Sequence, residues 1–561
     1  MTGAWRNLGC AVTSAVIGLT AMAAELPIFK MGLVTDTHWK EDPRSFARTE
    51  AALQVFKREK VDIVANIGDI ADKHYPKAYR YYRELFRKVF PENPPRELFV
   101  YANHDLLRRN DIPGSGIKMD IDQGFAELRK HLEIPHPPYH SLAFKGYPIL
   151  LIPQFFDPEK FERMISAAEK EFPDKPIIVL DHVPAPRGDA AKNNKRRLIY
   201  DRHPRVVHIY GHVHVPLRDE TSIWQDAYTS VNAGCLQQWC GALVGTAPGV
   251  KQCCEFAVME AYPDKLVFRR FSTEDGQEIK TPWIVPLPFD PATAPYRPDR
   301  RAAAEKAPEF AEGAALTLSP DRPFSALTLR WPGAKRGDEA YKYFIRIGRR
   351  EADGGFRDFA RQDCFGEFYL APSRRKGRLA AKLSAGLFEP GRSYRIAVFP
   401  VGFFGHSGVP LTAEFNPPAE FRRAETVFES RDPMKELVFA SGLTGATPMP
   451  LENGFYRHRG GAARLIIPKK YWAGPRGTRF RFTVDLESRQ SEGALWAVVL
   501  RNATPLYNAN HRMSLAGGVV PDARYVIEFR QRKAEYFYDL LIREGAPGQI
   551  RFKYVKLERL P

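Results

Sequence analysis

Cysteine is scarce: the chain has six in 561 residues. Five of them, Cys235, Cys240, Cys253, Cys254 and Cys364, follow the start of the chain. The four between 235 and 254 match no familiar zinc spacing and leave room for one disulfide at most, in a compartment that permits it. Long apolar runs are also missing. The stretch Ala11–Met22 is the one near the start, and it is too short to span a bilayer comfortably. With Arg6 before it and Ala21-Met22-Ala23 as a small-residue cleavage site, residues 1–24 read as a signal peptide, so the chain is expected to be exported to the periplasm or the cell surface. No internal repeat is visible. The formal charge of +17 suits anionic surroundings or substrates. Its carriers are dispersed, however, with short runs only at Lys195-Arg196-Arg197, around Arg297, Arg300 and Arg301, and at Arg374-Arg375-Lys376, and no nucleic-acid-binding motif accompanies them.

What is present is a series of polar blocks, each trailing an apolar segment. Asp36 and His38 lie two apart after a short apolar run, and residues two apart on an extended segment share a face. Gly68-Asp69-Ile70-Ala71-Asp72 follows Val61–Ile67, and Asn103-His104-Asp105 follows Leu98–Tyr101. His182 follows Ile177–Leu180, and Gly211-His212-Val213-His214 follows Val206–Tyr210. Carboxylates, an amide and several imidazoles at the ends of successive strands sit where open α/β sheets place their sites. The mixed nitrogen and oxygen set suits manganese, iron or zinc better than magnesium or calcium.

In this order the blocks resemble the calcineurin-like metallophosphoesterase family: Asp-X-His, Gly-Asp, Gly-Asn-His-Asp/Glu, His, Gly-His-X-His. The resemblance covers about residues 27–275. It implies an α/β (α+β) four-layer sandwich, two packed sheets flanked by helices, with the site on loops at one edge. It further implies two divalent or trivalent metal ions with Asp69 as the bridging carboxylate. Asp36, His38 and His214 would complete one ion's set, and Asn103, His182 and His212 the other's. Two such ions clamp a phosphoryl group and hold the attacking hydroxide between them. His104 would protonate the leaving oxygen, a role its unperturbed pKa suits; the alternative is that it hydrogen-bonds Asp105 or Asp72 and orients the loop. Asp72 and Asp105 are candidates to orient imidazoles. Ala102 stands where the family has Gly before the Asn, and Ala tolerates positive φ poorly.

The single Asn-His-Asp block and the compact Gly-His-Val-His ending resemble the branch that hydrolyses cyclic nucleotides and glycerophosphodiesters. A phosphodiesterase is therefore expected, with a phosphomonoesterase or nucleotidase as the alternative. Arg108, Arg109 and the Pro-Gly-Ser-Gly at 113–116 are candidates for substrate contact, as is the basic loop Arg187–Arg197; plain solvated loops are the other reading of both. His74, His131, His136, His140, His203 and His208 match no block and read as structural or surface residues.

Apolar spacing predicts helices over Pro43–Lys60, Tyr79–Phe90 and Phe161–Phe172. The aromatics of the second, Tyr82 and Phe86 among them, are spaced for core packing. The metallophosphoesterase region is set at 25–288, and the Pro- and Ala-rich stretch 289–318 reads as a linker. Beyond it come two all-β regions. Residues 319–416, with Trp331 on an early strand and a Pro-Gly turn before Tyr394, resemble a fibronectin type III sandwich. Residues 420–561 alternate as half-buried strands do and resemble a jelly-roll module of the carbohydrate-binding sort, with Tyr471, Trp472 and Tyr507 as candidates to stack on sugars. A purely structural module, or a glycan-binding protein with a vestigial metal site, is the competing reading.

Overall fold

The computed structural model describes residues 26–40, 46–71, 76–106, 121–187, 193–236, 254–321, 326–422, 425–441, 451–458, 461–472, 475, 478–489, 495–501, 504–505, 512–515, 522–531, 538–544 and 548–560. The signal-peptide reading of residues 1–24, together with Cys240, Cys253, His74 and Tyr507, falls outside them.

The first two-thirds of the 25–288 region alternates strands and helices as the apolar spacing predicts. Strands β1 (Phe29–Val34), β2 (Ile63–Ile67) and β3 (Arg96–Val100) run parallel. Strands β4 (His140–Phe144), β5 (Tyr147–Ile152), β6 (Ile177–Asp181), β7 (Val206–Tyr210), β8 (Ile223–Gln225) and β9 (Thr229–Asn232) form a second sheet in the order β4-β5-β6-β7-β9-β8, parallel from β5 through β9. The chain then returns to the first sheet with β10 (Glu255–Ala261), β11 (Lys265–Ser272) and β12 (Trp283–Pro286), an antiparallel set that completes the order β12-β11-β10-β1-β2-β3.

Alternate residues divide between two cores, as a period of two requires. Leu33, Ile63, Ile178, Leu180 and Ile209 meet between the sheets. Val34, Val64 and Phe99 face outward onto helices α1 (Ala47–Glu59) and α2 (Pro76–Val89). Val179 and Val206 face outward on the other sheet, under α5 (Pro158–Glu171), the helix that follows α3 (Asn103–Leu106) and α4 (Ile121–Leu132). The result is helix, sheet, sheet, helix, the four layers expected. Tyr79, Tyr82 and Phe86 of α2 are buried in the core, as their spacing predicts.

Residues 289–318 differ from a plain tether. They carry the helix α7 (Pro298–Ala304), which follows α6 (Lys195–Tyr200) in the chain order, and they pack on both neighbours. Arg301 reaches Glu220 behind it and stacks over Phe404 ahead, while the Glu305 carboxylate accepts the N–H groups of Phe404 and His406. Charged contacts at both ends fix a connection that composition alone reads as loose.

The C-terminal region is mostly β-sheet. Thr317–Pro320, Ala326–Pro332 and Arg378–Ser384 form one sheet, and Phe356–Phe365, Lys342–Arg350, Tyr394–Val401 and Leu411–Phe415 a second. Leu329, Trp331, Ile345 and Ile396 fill the core between them. The Glu389 N–H donates to the Tyr394 hydroxyl at 2.7 Å, tying a strand start back to the turn before it. Two further sheets follow, one centred on the pairing of Arg479–Arg489 with Gly548–Leu560, the other on Leu495–Arg501 with Tyr538–Glu544. Phe439 and Leu465 of the second share a core with Phe482, Val484 and Val555 of the first. Tyr471 packs against the Phe428 ring at 4.7 Å, so it serves that core; the Trp472 side chain lies outside the described part of the chain.

Candidate metal centre

Parallel strands end at a common edge, and all seven predicted donors arrive there. Asp36 and His38 follow β1, Asp69 follows β2, and Asn103 opens the short helix α3 after β3. His182 follows β6, and His212 and His214 follow β7. The loops after β1 and β2 continue the pairing of their strands: Asp36 N–H donates to Gly68 O at 3.1 Å, His38 N–H to Asp69 O at 3.0 Å and Trp39 N–H to Ile70 O at 2.9 Å. The chain must then turn so that side chains lean back over the edge. Five of the seven donors, Asp36, His38, Asp69, His212 and His214, therefore adopt a left-handed backbone with φ between 45° and 72°. Asp and His visit that region more readily than most residues, yet each instance costs on the order of 1 kcal/mol or more. Such a concentration persists only where the surroundings dictate it.

Each carboxylate gives one oxygen to the scaffold and the other to the cluster. Asp36 Oδ2 accepts the Thr35 hydroxyl at 2.9 Å and the His212 N–H at 2.8 Å, while Oδ1 lies 3.0 Å from His214 Nε2. Asp69 Oδ1 accepts the His104 N–H at 3.1 Å, and Oδ2 lies 3.1 Å from His182 Nε2 and 3.7 Å from His38 Nε2. His182 Nδ1 sits 2.7 Å from the carbonyl of Ile67, which can only accept. That ring nitrogen carries a proton, and Nε2 is the one turned to the cluster.

Two nitrogen pairs complete the arrangement: His38 Nε2 and His214 Nε2 at 3.1 Å, and His182 Nε2 and His212 Nδ1 at 3.3 Å. Two donors about 2.1 Å from one ion, at angles between square and tetrahedral, lie about 3.0–3.5 Å apart. Donor atoms of Asp36, His38, Asp69 and His214 lie within 4.8 Å of one another, and so do those of Asp69, His182 and His212. Asn103 Oδ1, on the turn after β3, is buried and makes no hydrogen bond. A buried acceptor without a donor is costly, and a cation is what such an oxygen lacks. The residues present fit a divalent metal ion.

Electrostatics say the same. Burial pushes the Asp69 carboxyl up, but the His182 charge, with His38 and His104, outweighs it and holds the group far below the ordinary carboxylate range. Burial likewise opposes ionisation of Asp36, and His214 and His182 more than offset it. Burial works against charge on His182 too, yet Asp69 and Asp36 raise it to about 9.

Around the donors, His104 is half-buried and its ring meets His38 edge-on at 4.6 Å. Asp105, expected to orient an imidazole, holds backbone: Oδ1 accepts the N–H groups of Ile70 and Ala71, and Oδ2 that of Ala102. Burial first, and then the Asp69 charge, push Asp105 up to about 8. Ala102 keeps a negative φ, so the turn before Asn103 does not ask of it what only Gly gives easily. Glycine is required instead at 211, where a Cβ would stand 1.9 Å from Thr35 Oγ1 and 2.6 Å from Asp36 Oδ2.

Asp72, Arg108, Arg109 and residues 113–116 lie outside the described residues. In the basic loop, Arg196 and Arg197 turn inward: Arg196 pairs with Asp181, and Arg197 with Asp201 and Asp226. Among the remaining histidines, His203 pairs with Glu169, His208 meets Ser230, and His136 accepts the Phe99 N–H. Two contributors escaped the sequence reading. Thr35 precedes Asp36 and reads as strand, and Gln154 belongs to no motif.

A family model of calcineurin-like phosphoesterases matches residues 29–216, a stretch that contains all seven donors. That stretch is a calcineurin-like phosphoesterase domain. No curated protein matches the chain. Among solved structures, a conserved uncharacterised protein of Streptococcus pneumoniae TIGR4, titled a predicted phosphoesterase, is 13% identical and aligns over 46% of this chain and 97% of its own, with a TM-score of 0.23. Vacuolar Protein Sorting 29 of Cryptosporidium parvum is also 13% identical, with the same coverage and a TM-score of 0.22. A CBM22-1-CBM22-2 tandem domain of Paenibacillus barcinonensis Xyn10C is 8% identical over 45% of this chain and 94% of its own, with a TM-score of 0.16. The phosphoesterase domain with its buried Asp and His cluster is that of a metal-dependent phosphoesterase.

Proposed function

We propose that the chain hydrolyses phosphodiesters with two metal ions. Asp36, His38, Asp69 and His214 hold one, and Asp69, Asn103, His182 and His212 the other. The observation that carries this reading is the membership of Asp69 in both donor groups. Bound ions supply Lewis-acid charge for the phosphoryl oxygens and make water acidic enough to attack at neutral pH. The protein's own residues do the rest. Thr35 and the His212 N–H hold Asp36, and the His104 N–H holds Asp69, so each carboxylate presents one fixed oxygen. The neutral Asn103 amide limits the negative charge that an anionic substrate meets. His104, beside His38 and open to solvent on one side, donates its proton to the leaving oxygen.

The donor chemistry favours manganese, iron or zinc. The diester preference rests on the likeness of the Asn-His-Asp and Gly-His-Val-His blocks to the diesterase branch, and export rests on residues 1–24. Elemental analysis of the purified chain should find about two metals per molecule, as a paired site requires. With manganese, zinc or iron added in turn, bis(p-nitrophenyl) phosphate should be cleaved faster than p-nitrophenyl phosphate. The reverse preference makes the enzyme a monoesterase. Metal-free protein that stays inactive with every ion ends the proposal.

A further inference from the structure

The two donor groups draw unequally on the two sheets. Asp36, His38 and Asp69 come from the first, are joined by their own zipped loops and take only His214 from the second, whereas the other group takes both His182 and His212 from the second, toward which Asn103 reaches from the first. We infer that Gln154 is the positioning residue that sets this reach. It follows β5 on the second sheet, and its contacts grip the Asn103 turn. Its side-chain Oε1 accepts the Asn103 N–H at 2.8 Å, and its own N–H donates to Tyr101 O at 2.9 Å. Its carbonyl in turn accepts Arg196 Nη2 at 3.0 Å, and the same guanidinium pairs with Asp181, the residue before His182. One chain of contacts thus runs from Asn103 through Gln154 and Arg196 to the strand end that carries His182.

The Asn103 N–H stands at the first position of α3, where no carbonyl of the helix can take it. Gln154 supplies that acceptor, and in doing so holds the backbone turn that carries the Asn103 side chain, whose Oδ1 is buried without a donor. Partners of this kind, which orient a donor without touching the ion, alter metal affinity by about 10- to 100-fold when removed. The effect falls on one position of the pair, because Gln154 grips the Asn103 turn, while Asp36, His38 and His214 meet one another, at 3.0 Å between Asp36 Oδ1 and His214 Nε2 and 3.1 Å between the two Nε2 atoms.

This inference rests on the two-ion reading above. The test is a manganese titration of the full chain by calorimetry and electron paramagnetic resonance, with Gln154→Ala and Gln154→Glu beside the wild type. Wild type should take up two ions with a spin-coupled signal. Gln154→Ala should keep one tight ion, weaken the other about 10- to 100-fold, and show the pattern of an isolated manganese ion at one equivalent. Gln154→Glu retains the acceptor oxygen and should restore the coupled signal. Gln154→Ala that binds both ions as wild type does, or loses both together, overturns the role of Gln154 alone. Wild type that takes up a single ion overturns the two-ion reading and this inference with it.

Discussion

Two clusters of polar and charged side chains in this chain, one buried and one half-buried, differ in purpose. One is the edge that carries Asp36, Asp69 and their imidazoles. The other lies at the junction of the phosphoesterase domain with the β region, around Glu220. There every charge meets its opposite: Glu220 takes Arg270 at 3.1 Å, Arg301 at 3.1 Å and Lys280 at 3.3 Å, and Lys280 also takes Glu339 of the next region at 2.7 Å. The backbone at these residues is ordinary, for none has a positive φ. At the other edge nitrogens face nitrogens, five residues sit in left-handed conformations, and an amide oxygen has no donor. An orphaned atom does not by itself separate the two, since Arg270 Nε at the junction is also buried without a partner; the pairing of opposite charges marks the junction as structure. The edge instead gathers carboxylate and imidazole donors within 4.8 Å of one another around Asp69, the arrangement a metal ion requires.

The comparison is tested most severely at Asp69, which both donor groups share. Asp69→Asn should abolish paired metal binding and lower kcat/KM by on the order of a thousandfold, the upper range for loss of one preorganised electrostatic contact. Its melting temperature should fall, because the ionised Asp69 carboxylate is stabilised by His182 and by the His104 N–H and the variant loses that charge. Full activity in this variant would show that the edge, like the junction, is only structure. His104→Ala should follow at about 10²–10³-fold in kcat, with metal content unchanged. The loss should be smaller on p-nitrophenyl esters than on esters of poorer leaving groups, since only a basic leaving oxygen needs the proton.

Much of this contrast is visible in the sequence, but unevenly. The donors of the edge stand out because each sits at a fixed offset from an apolar strand, and strand order brings them together. Helix α2 is equally plain, since Tyr79, Tyr82 and Phe86 repeat at helical spacing and are all buried. Gln154 and Glu220 have no such signature. Their roles come from contacts with residues far along the chain, Asn103 in one case and Arg270 and Arg301 in the other. Arg196 misled for the same reason: in a run of basic residues it reads as exposed, and a buried Asp181 takes it inward. The packing of the 289–318 connection is equally silent in the sequence, because Pro and Ala say nothing of the contacts of Arg301 and Glu305.

At the junction the expected effects are on stability, not on turnover. Glu220→Gln removes the shared anion of three cations. Losing one partner of a buried pair costs about 3–5 kcal/mol, and with the side chain 21% exposed a loss of about 2 kcal/mol is expected. The kcat of the folded fraction should be unchanged. The same residue sets an acid limit. Burial raises its pKa, but Arg270 and then Lys280 bring it down from 4.5 to about 2. Between those values the unfolded chain binds the proton and the folded one does not, so stability rises with pH. The contribution is complete above pH 4.5 and gone below about 2. Urea titrations across that interval should show the slope in wild type and a flatter one in Glu220→Gln.

The smallest expected effect marks where the edge stops being strained. Ala102 occupies the place of a family glycine, and its negative φ means that the turn into Asn103 needs no left-handed residue. Left-handed backbone begins instead at Gly68, with φ of 83°, where an added Cβ would stand 2.7 Å from His182 Nδ1 and 2.8 Å from Ala102 Cβ. Alanine at 102 is thus seated against the glycine at 68. Ala102→Gly should leave metal content and kcat as they are and cost about 0.4–1 kcal/mol through the freer unfolded chain. A gain in activity would mean that Ala102 holds the Asn103 turn away from its working position, and that the strain of this edge extends one strand further than the backbone angles indicate.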